Sequence, residues 1–322
     1  MSGPRRGESP PTAKRVAGLV VAAHRRHYAV SVDDGPVVDC VLKGRALTLA
    51  CGDRVRVAEA PTGRSIVSIE PRTSLLYRSD AFKEKLVAAN VTQVIGVVAP
   101  DVPVDEHLLN RWIIAAETER CRFVLVLNKA DHPDATRFAS RFEAYRHLGY
   151  PIVAVAATRD VAALRPWIAR EHSVLIGQSG MGKSTLINAL VPGAAAKVGA
   201  LSEALRSGRH TTTAAALYPL PEPGGWLVDS PGMKVFGLAH CAPEALARGF
   251  VELRDLVTQC RFRDCRHDRE PGCAVQAAVS DGRVTRQRVE LLQSLLAEAA
   301  AAQARSPASA RGRRPARALE TD

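Results

Sequence analysis

From Val16 to about Arg72, apolar and polar residues alternate in short runs, GLVVAAH, YAVSVDD, VVDCVLKG, DRVRVAEA and SIVSIE, separated by Gly, Pro or Asp. A period of two predicts half-buried strands, and five strands so closely spaced predict a small closed barrel of the OB type. The stretch PRTSLLYRSDAFKEKL that follows reads as a linker. Beyond it the period changes. VTQVIGVVA and RFVLVL are continuous apolar runs and predict buried strands, as do PIVAVAA and SVLIG. Leu108, Leu109, Trp112 and Ala116 share one face of a helix predicted over 105–119, and a second helix is predicted over 135–147. Strands alternating with amphipathic helices predict a parallel sheet covered on both sides. From about Pro243 the pattern is helical, interrupted by a cluster of Cys and His. The expected architecture is multidomain. A barrel spans 16–72, an α/β core 73–238 and a mainly helical domain 239–302, between tails at 1–15 and 303–322.

Composition changes this picture in two places. The 322 residues are 46% hydrophobic, ordinary for a globular chain. No window holds the roughly 18 consecutive apolar residues of a membrane span, and no apolar signal core follows the Pro- and Arg-rich start. A cytoplasmic protein without a membrane partner is expected. Its seven cysteines, an odd count in a long chain, are not a disulfide framework. The net charge of +11 is uneven: Arg5, Arg6, Lys14 and Arg15 crowd one tail and Arg305, Arg311, Arg313, Arg314 and Arg317 the other. Tails of Ala, Pro, Ser, Gly and Arg bury too little surface to fold, and they either bind polyanions or merely solubilise the chain. On the barrel, Arg25, Arg26, His27 and Arg54 suit contacts to phosphate and RNA shape. Tyr28 is the one aromatic there, so stacking on unpaired bases is not expected of the barrel.

The strongest chemical signal is Gly177, Gln178, Ser179, Gly180, Met181, Gly182, Lys183 and Ser184, a full G-x-x-x-x-G-K-S followed by Thr185. It lies between the strand SVLIG and the helical run KSTLINALV, the context a phosphate loop requires. Glycines let backbone N–H groups curl around phosphates at a helix N-terminus. Lys183 would hold the β and γ phosphates, and the Ser184 hydroxyl would ligate Mg2+. Asp229 ends the apolar run of WLVDSPG, with Gly232 three residues later. In that position Asp229 can hold Mg2+ through water, and the Gly232 N–H can sense the γ-phosphate.

Asn128, Lys129, Ala130 and Asp131 form N-K-x-D after RFVLVL. A carboxylate there accepts from both the N1–H and the amine of guanine, a donor pair adenine lacks. Ala156, Ala157 and Thr158, after PIVAV, could supply a backbone N–H to the guanine carbonyl. N-K-x-D precedes the phosphate loop and D-x-x-G comes last, so the expected GTPase core is circularly permuted. Between phosphate loop and D-x-x-G lies SGRHTTT. Thr212, with Thr211 and Thr213 as alternatives, would complete the Mg2+ shell when γ-phosphate is present. The residue after D-x-x-G, often a water-orienting glutamine, is Met233. His210 is the local candidate to orient the attacking water. It could equally contact RNA or support the loop.

Cys260, Cys265, His267 and Cys273 read C-x4-C-x-H-x5-C, four soft ligands suited to one structural, tetrahedral zinc. Arg261, Arg263, Arg266 and Arg269 alternate with them and offer a basic surface to phosphates. Cys40, Cys51, Cys121 and Cys241 read as small core residues.

Together NKAD, GQSGMGKST, GRHTTT, DSPG and the Cys/His spacing resemble the ribosome small-subunit-dependent GTPase family, RsgA. The match spans most of the chain, though not the basic tails. A monomer is expected. The resemblance implies a late assembly factor that binds the immature small ribosomal subunit and its rRNA and hydrolyses GTP to GDP and phosphate when that subunit stimulates it. It also implies zinc at the four Cys/His positions and a catalytic role at His210. The residues leave two other readings open, an RNA-binding regulator that holds GTP without stimulated hydrolysis and a P-loop ATPase or kinase with a fortuitous NKAD.

Overall fold

The computed structural model describes residues 15–24, 27–33, 35–42, 48–60, 63–79, 84–194, 215–221, 223–230, 238 and 240–305. Five strands form the first part: β1 (Arg15–His24), β2 (His27–Val32), β3 (Val37–Leu42), β4 (Arg54–Ala60) and β5 (Gly63–Ile69). They pair in the order β1-β2-β3-β5-β4, and β4 returns to β1, so the sheet closes into the expected barrel. β1 reaches both neighbours because it is long and its register shifts between Val20 and Ala22. The interior is apolar: Val20, Val30, Val38, Val55, Val57 and Ile66 are its buried centre. Asp53, fully buried at the barrel's end, is held by the Arg72 guanidinium at 2.6 and 2.8 Å and by the Ala50 N–H.

The segment expected as a linker is instead largely a hairpin, β6 (Leu75–Ser79) and β7 (Glu84–Ala89). Leu76, Val87, Ala88 and Ala89 are buried, which explains why so polar a stretch is ordered. Next come β8 (Gln93–Val98), α1 (Glu106–Thr118), β9 (Arg122–Leu127), β10 (Ile152–Ala154) and β11 (His172–Ile176). β10, β9, β8, β11 and β13 (Trp226–Asp229) run parallel, and β12 (Ala216–Pro219) adds an antiparallel edge beside β13. The single helix expected over 135–147 is two, α2 (Ala135–Ser140) and α3 (Glu143–His147). Tight bonds from the Arg141 N–H to Phe138 O and the Phe142 N–H to Ala139 O break it, and Phe142 is buried against Phe138. A short α4 (Arg165–Ile168) precedes β11, and α5 (Lys183–Leu190) packs on β13.

The C-terminal part is mainly helical and interrupted by the Cys/His loop, as expected. α6 (Pro243–Arg248) is followed by turns, the Cys/His loop, α7 (Ala274–Ser280) and α8 (Arg286–Arg305), which runs past the expected boundary at 302. It docks on α1. Arg111 pairs with Glu298 at 2.6 Å and Arg254 with Glu117 at 2.8 Å. Arg288 on α8 bonds Glu252 and Asn110 while lying over the Phe250 ring.

Barrel and core are joined. β1 meets β12 at Ala22 and Ala216, making one sheet of eleven strands. The Cys51 thiol donates to Ala215 O at 3.2 Å, and the Ala89 N–H to Cys51 O at 2.8 Å. Gly52 sits at that joint with φ +91°, where a Cβ would lie 2.1 Å from Ala89 O, so glycine alone allows the approach. Among the described residues no helix is long and apolar enough to cross a membrane.

Candidate nucleotide site and cysteine-histidine centre

The phosphate loop springs from the buried end of β11 and runs into the N-terminus of α5. Gly180 and Gly182 take φ of +84° and +86°, which turns the loop back on itself. A Cβ on Gly182 would lie 2.3 Å from Asn128 Nδ2, so the closeness of two loops requires this glycine. Inside the curl, Lys183 Nζ donates to Gly177 O at 2.7 Å and Gln178 O at 3.0 Å. Burial pushes its ammonium below the usual lysine range, and Asp229 opposes the shift. A buried cation held by two peptide carbonyls is poised for an anion. Ser184 and Thr185 on the first turn of α5 are exposed.

The N-K-x-D residues leave the end of β9 beside this loop. Asn128 is buried and spans two segments: its Nδ2 donates to Met181 O at 2.9 Å, and its Oδ1 accepts from the Ala157 N–H at 3.1 Å. One side chain therefore fixes the phosphate loop, its own loop and the segment Ala156–Thr158. Lys129 reaches across the phosphate loop to Gly180 O at 2.9 Å and to the Asp101 carboxylate at 2.6 Å. That bond holds the Asp101 carboxyl below the usual carboxylate range. The Asp131 carboxylate faces Arg159 Nε at 3.1 Å. A backbone bridge between Ala156 and Asp160 shapes the loop that carries Arg159.

Asp229 ends β13 on the other flank. Burial raises its carboxyl above the usual range, with Lys183 opposing. Its Oδ1 is buried and has no hydrogen-bond partner among the described residues. A buried, unanswered carboxylate oxygen near the Lys183 ammonium fits a divalent cation or its water. The remaining switch residues expected from the sequence, His210, Thr211, Thr212, Thr213, Gly232 and Met233, lie outside the described residues, as do Arg25, Arg26 and most of both tails. On the barrel, the Arg54 guanidinium is taken up by Asp33 at 3.0 and 3.2 Å.

Cys260, Cys265, His267 and Cys273 bring their donor atoms within 4.8 Å of one another. Cys260 and Cys273 sulfurs are 3.9 Å apart, and His267 Nδ1 lies 3.5 and 3.7 Å from them. A tetrahedral zinc, with bonds of ~2.3 Å to sulfur and ~2.0 Å to nitrogen, would place these pairs about 3.8 and 3.5 Å apart. The donor set fits that ion. Burial keeps the His267 imidazole below its usual range, the neutral form that can ligate.

Several supporting groups carry no motif of their own. The Asp105 N–H, at the cap of α1, donates to Gln178 Oε1 at 3.3 Å, tying that helix to the phosphate loop. Gln276 and Gln293 both donate to His267 O, at 2.6 and 2.7 Å, holding a residue with φ +59°. Only the position of Asp101, just past the end of β8, offered a signal, because ligands of open α/β sheets gather at strand ends.

A phosphate loop after a parallel strand, a guanine-type loop on the neighbouring strand, and an aspartate on a later strand define a P-loop GTPase with circularly permuted motifs. A family model described as RsgA GTPase matches residues 69–239. The small ribosomal subunit biogenesis GTPase RsgA of Paraburkholderia phytofirmans is 47% identical over 301 residues, covering 90% of this chain and 95% of that protein. Its counterpart in Nitrosospira multiformis is 44% identical over 288 residues, covering 89% and 92%. The crystal structure of YjeQ from Thermotoga maritima superposes with a TM-score of 0.67 at 31% identity, covering 89% of this chain and 99% of that one. YloQ, described as a circularly permuted GTPase, shares the fold with a TM-score of 0.63 at 23% identity, covering 94% and 99%. The chain belongs to the RsgA GTPase family and is a GTP-hydrolysing enzyme.

Proposed function

We propose that this GTPase serves the biogenesis of the small ribosomal subunit, binding the immature particle through its rRNA and leaving after hydrolysis that the particle stimulates. The observation that carries this reading is the match, over nine-tenths of the chain, to relatives named for that task. The protein acts as a monomer in the cytoplasm.

Asp131 accepts from the guanine N1–H and amine, giving up Arg159 as it does so, and Asn128 keeps its loop in register with the phosphate loop. Ala156, Ala157 and Thr158 border the base. Lys183 exchanges the carbonyls of Gly177 and Gln178 for β- and γ-phosphate oxygens, beside the amides of residues 177–185. Mg2+, held by Ser184 and Thr212 and through water by Asp229, would neutralise phosphate charge in the transition state. His210 orients the water, and the Gly232 N–H senses the γ-phosphate. Zinc at Cys260, Cys265, His267 and Cys273 would clamp the C-terminal loop. Catalysis by positioning alone is slow until a partner completes the site.

The test is GTP hydrolysis measured alone, with purified small subunits, and with large subunits. Selective stimulation by the small subunit is expected, with loss of that stimulation in His210→Ala. Equal, negligible rates in all three mixtures would replace this reading with a guanine-binding RNA protein.

A further inference from the structure

The Cys/His loop presents an aromatic ring that the rest of the fold does not use. Among the described residues three large hydrophobic side chains are exposed, Val37, Val41 and Phe262, the last at 41%. Single exposed apolar residues are ordinary. Phe262 differs in its surroundings. It stands between Cys260 and Cys265, on a loop pinned at the metal-ligand cluster and by the Arg261 N–H bonded to Gly272 O at 3.1 Å. The Arg261 guanidinium lies 5.5 Å from the ring centroid, and Arg263 follows in sequence; both are exposed. Neither has an ion-pair partner among the described residues, whereas Arg54, Arg56, Arg64 and Arg146 each meet a carboxylate within 3.3 Å. Of the acids nearby, Glu270 is turned to the backbone N–H groups of Arg266 and Asp268, at 2.8 and 2.9 Å.

The four arginines of this loop are nearly offset in number by Asp264, Asp268 and Glu270, so its net charge is small. Long-range attraction for a polyanion is therefore not its distinguishing property. An exposed ring carried on a pinned loop, with the Arg261 guanidinium against it, is suited to stacking on a base that has left its helix, because little ordering of the loop is needed on binding. Resting on the assembly function set out above, we propose that Phe262 is a stacking platform for an unpaired base of small-subunit RNA, with Arg261 and Arg263 contacting the flanking phosphates.

The experiment compares the full chain with Phe262→Ala, Phe262→Leu and Phe262→Trp, each with bound zinc measured to show the loop intact. Affinity for purified small subunits, and for large subunits as a control, is determined with a non-hydrolysable GTP analogue at several salt concentrations. Stacking predicts that Ala and Leu each weaken small-subunit binding about 5- to 100-fold while Trp retains it. It also predicts an unchanged slope of log affinity on log salt, since no phosphate contact is removed. Ultraviolet irradiation of the wild-type complex should leave a nucleotide adduct on the peptide carrying Phe262. Wild-type affinity in Phe262→Leu would mean a generic apolar contact, such as a ribosomal protein makes, and would overturn the proposal. Equal affinity of all four proteins would overturn it too, leaving the assembly reading intact. A wild-type chain that does not prefer small subunits would take down both.

Discussion

The role proposed for Asp131 is to select the purine through what its carboxylate can accept. Asp131→Asn offers a donor in place of one acceptor, which opposes guanine's amine and matches the second carbonyl of xanthine. Competition between GTP and XTP should show a loss of GTP affinity of about 100-fold or more, with XTP now preferred. Retained GTP preference would remove Asp131 from base recognition. The isolated cysteines make a second point at this scale. Burial, the largest cause in each, raises the thiols of Cys40, Cys121 and Cys241 to about 11 and that of Cys51 to about 12. Their folded pKa values exceed the unfolded one, so their contribution to stability is complete below pH 9 and is lost as pH rises toward 11–12. At pH 8 these four should resist alkylation in the native protein. Removing zinc with a chelator should add three labelled sites, Cys260, Cys265 and Cys273; fewer would mean that the cluster holds no metal. The motifs of both proposed sites were legible because their chemistry needs fixed residue types at fixed short spacings. Arg159, Gln276 and Gln293 were not, since each acts through a partner that only the fold brings near.

Elements were legible where one period ran unbroken through the whole segment. α1 was expected over 105–119 and spans Glu106–Thr118, because Leu108, Leu109, Trp112 and Ala116 mark its buried side. The hairpin of β6 and β7 escaped because half of its residues are polar and residues 80–83, between the two strands, include no Gly or Pro. The break between α2 and α3 escaped for the opposite reason: Phe138, Phe142 and Tyr145 keep a helical spacing although the backbone tightens between them. In the C-terminal part, side-chain clamps tie the helices to the rest of the fold. Arg288 is the chief of these, since its ion pair with Glu252 is largely buried. Arg288→Ala would leave Glu252 without its countercharge and Asn110 without its donor. Urea denaturation should show a loss of about 3 kcal/mol. A change under about 0.5 kcal/mol would mean that α8 docks by apolar contact alone.

At the scale of the molecule, the alternation of strands and helices and the motif order revealed a permuted GTPase behind a barrel. What could not be read was that the two share a sheet. β12 follows directly on residues 195–214, which contain the expected switch threonines; it lies beside β13, which ends in Asp229, and on its other side touches β1 of the barrel. Pairing across nearly two hundred residues leaves no local trace in sequence. The Cys51 thiol bonded to Ala215 O, and Gly52 packed on Ala89, make the contact close enough that the barrel and β12 cannot shift independently.

That shared strand imposes a thermodynamic reciprocity. If GTP and GDP favour different positions of β12, then any RNA gripped by the barrel binds the two nucleotide states with different strength. By linkage the RNA must then change the ratio of GTP to GDP affinity by the same factor. A particle that prefers the GTP form would tighten GTP binding relative to GDP by the factor by which GTP, relative to GDP, tightens binding of the particle, and the barrel would act as a thermodynamic effector of the nucleotide site as well as a grip on RNA.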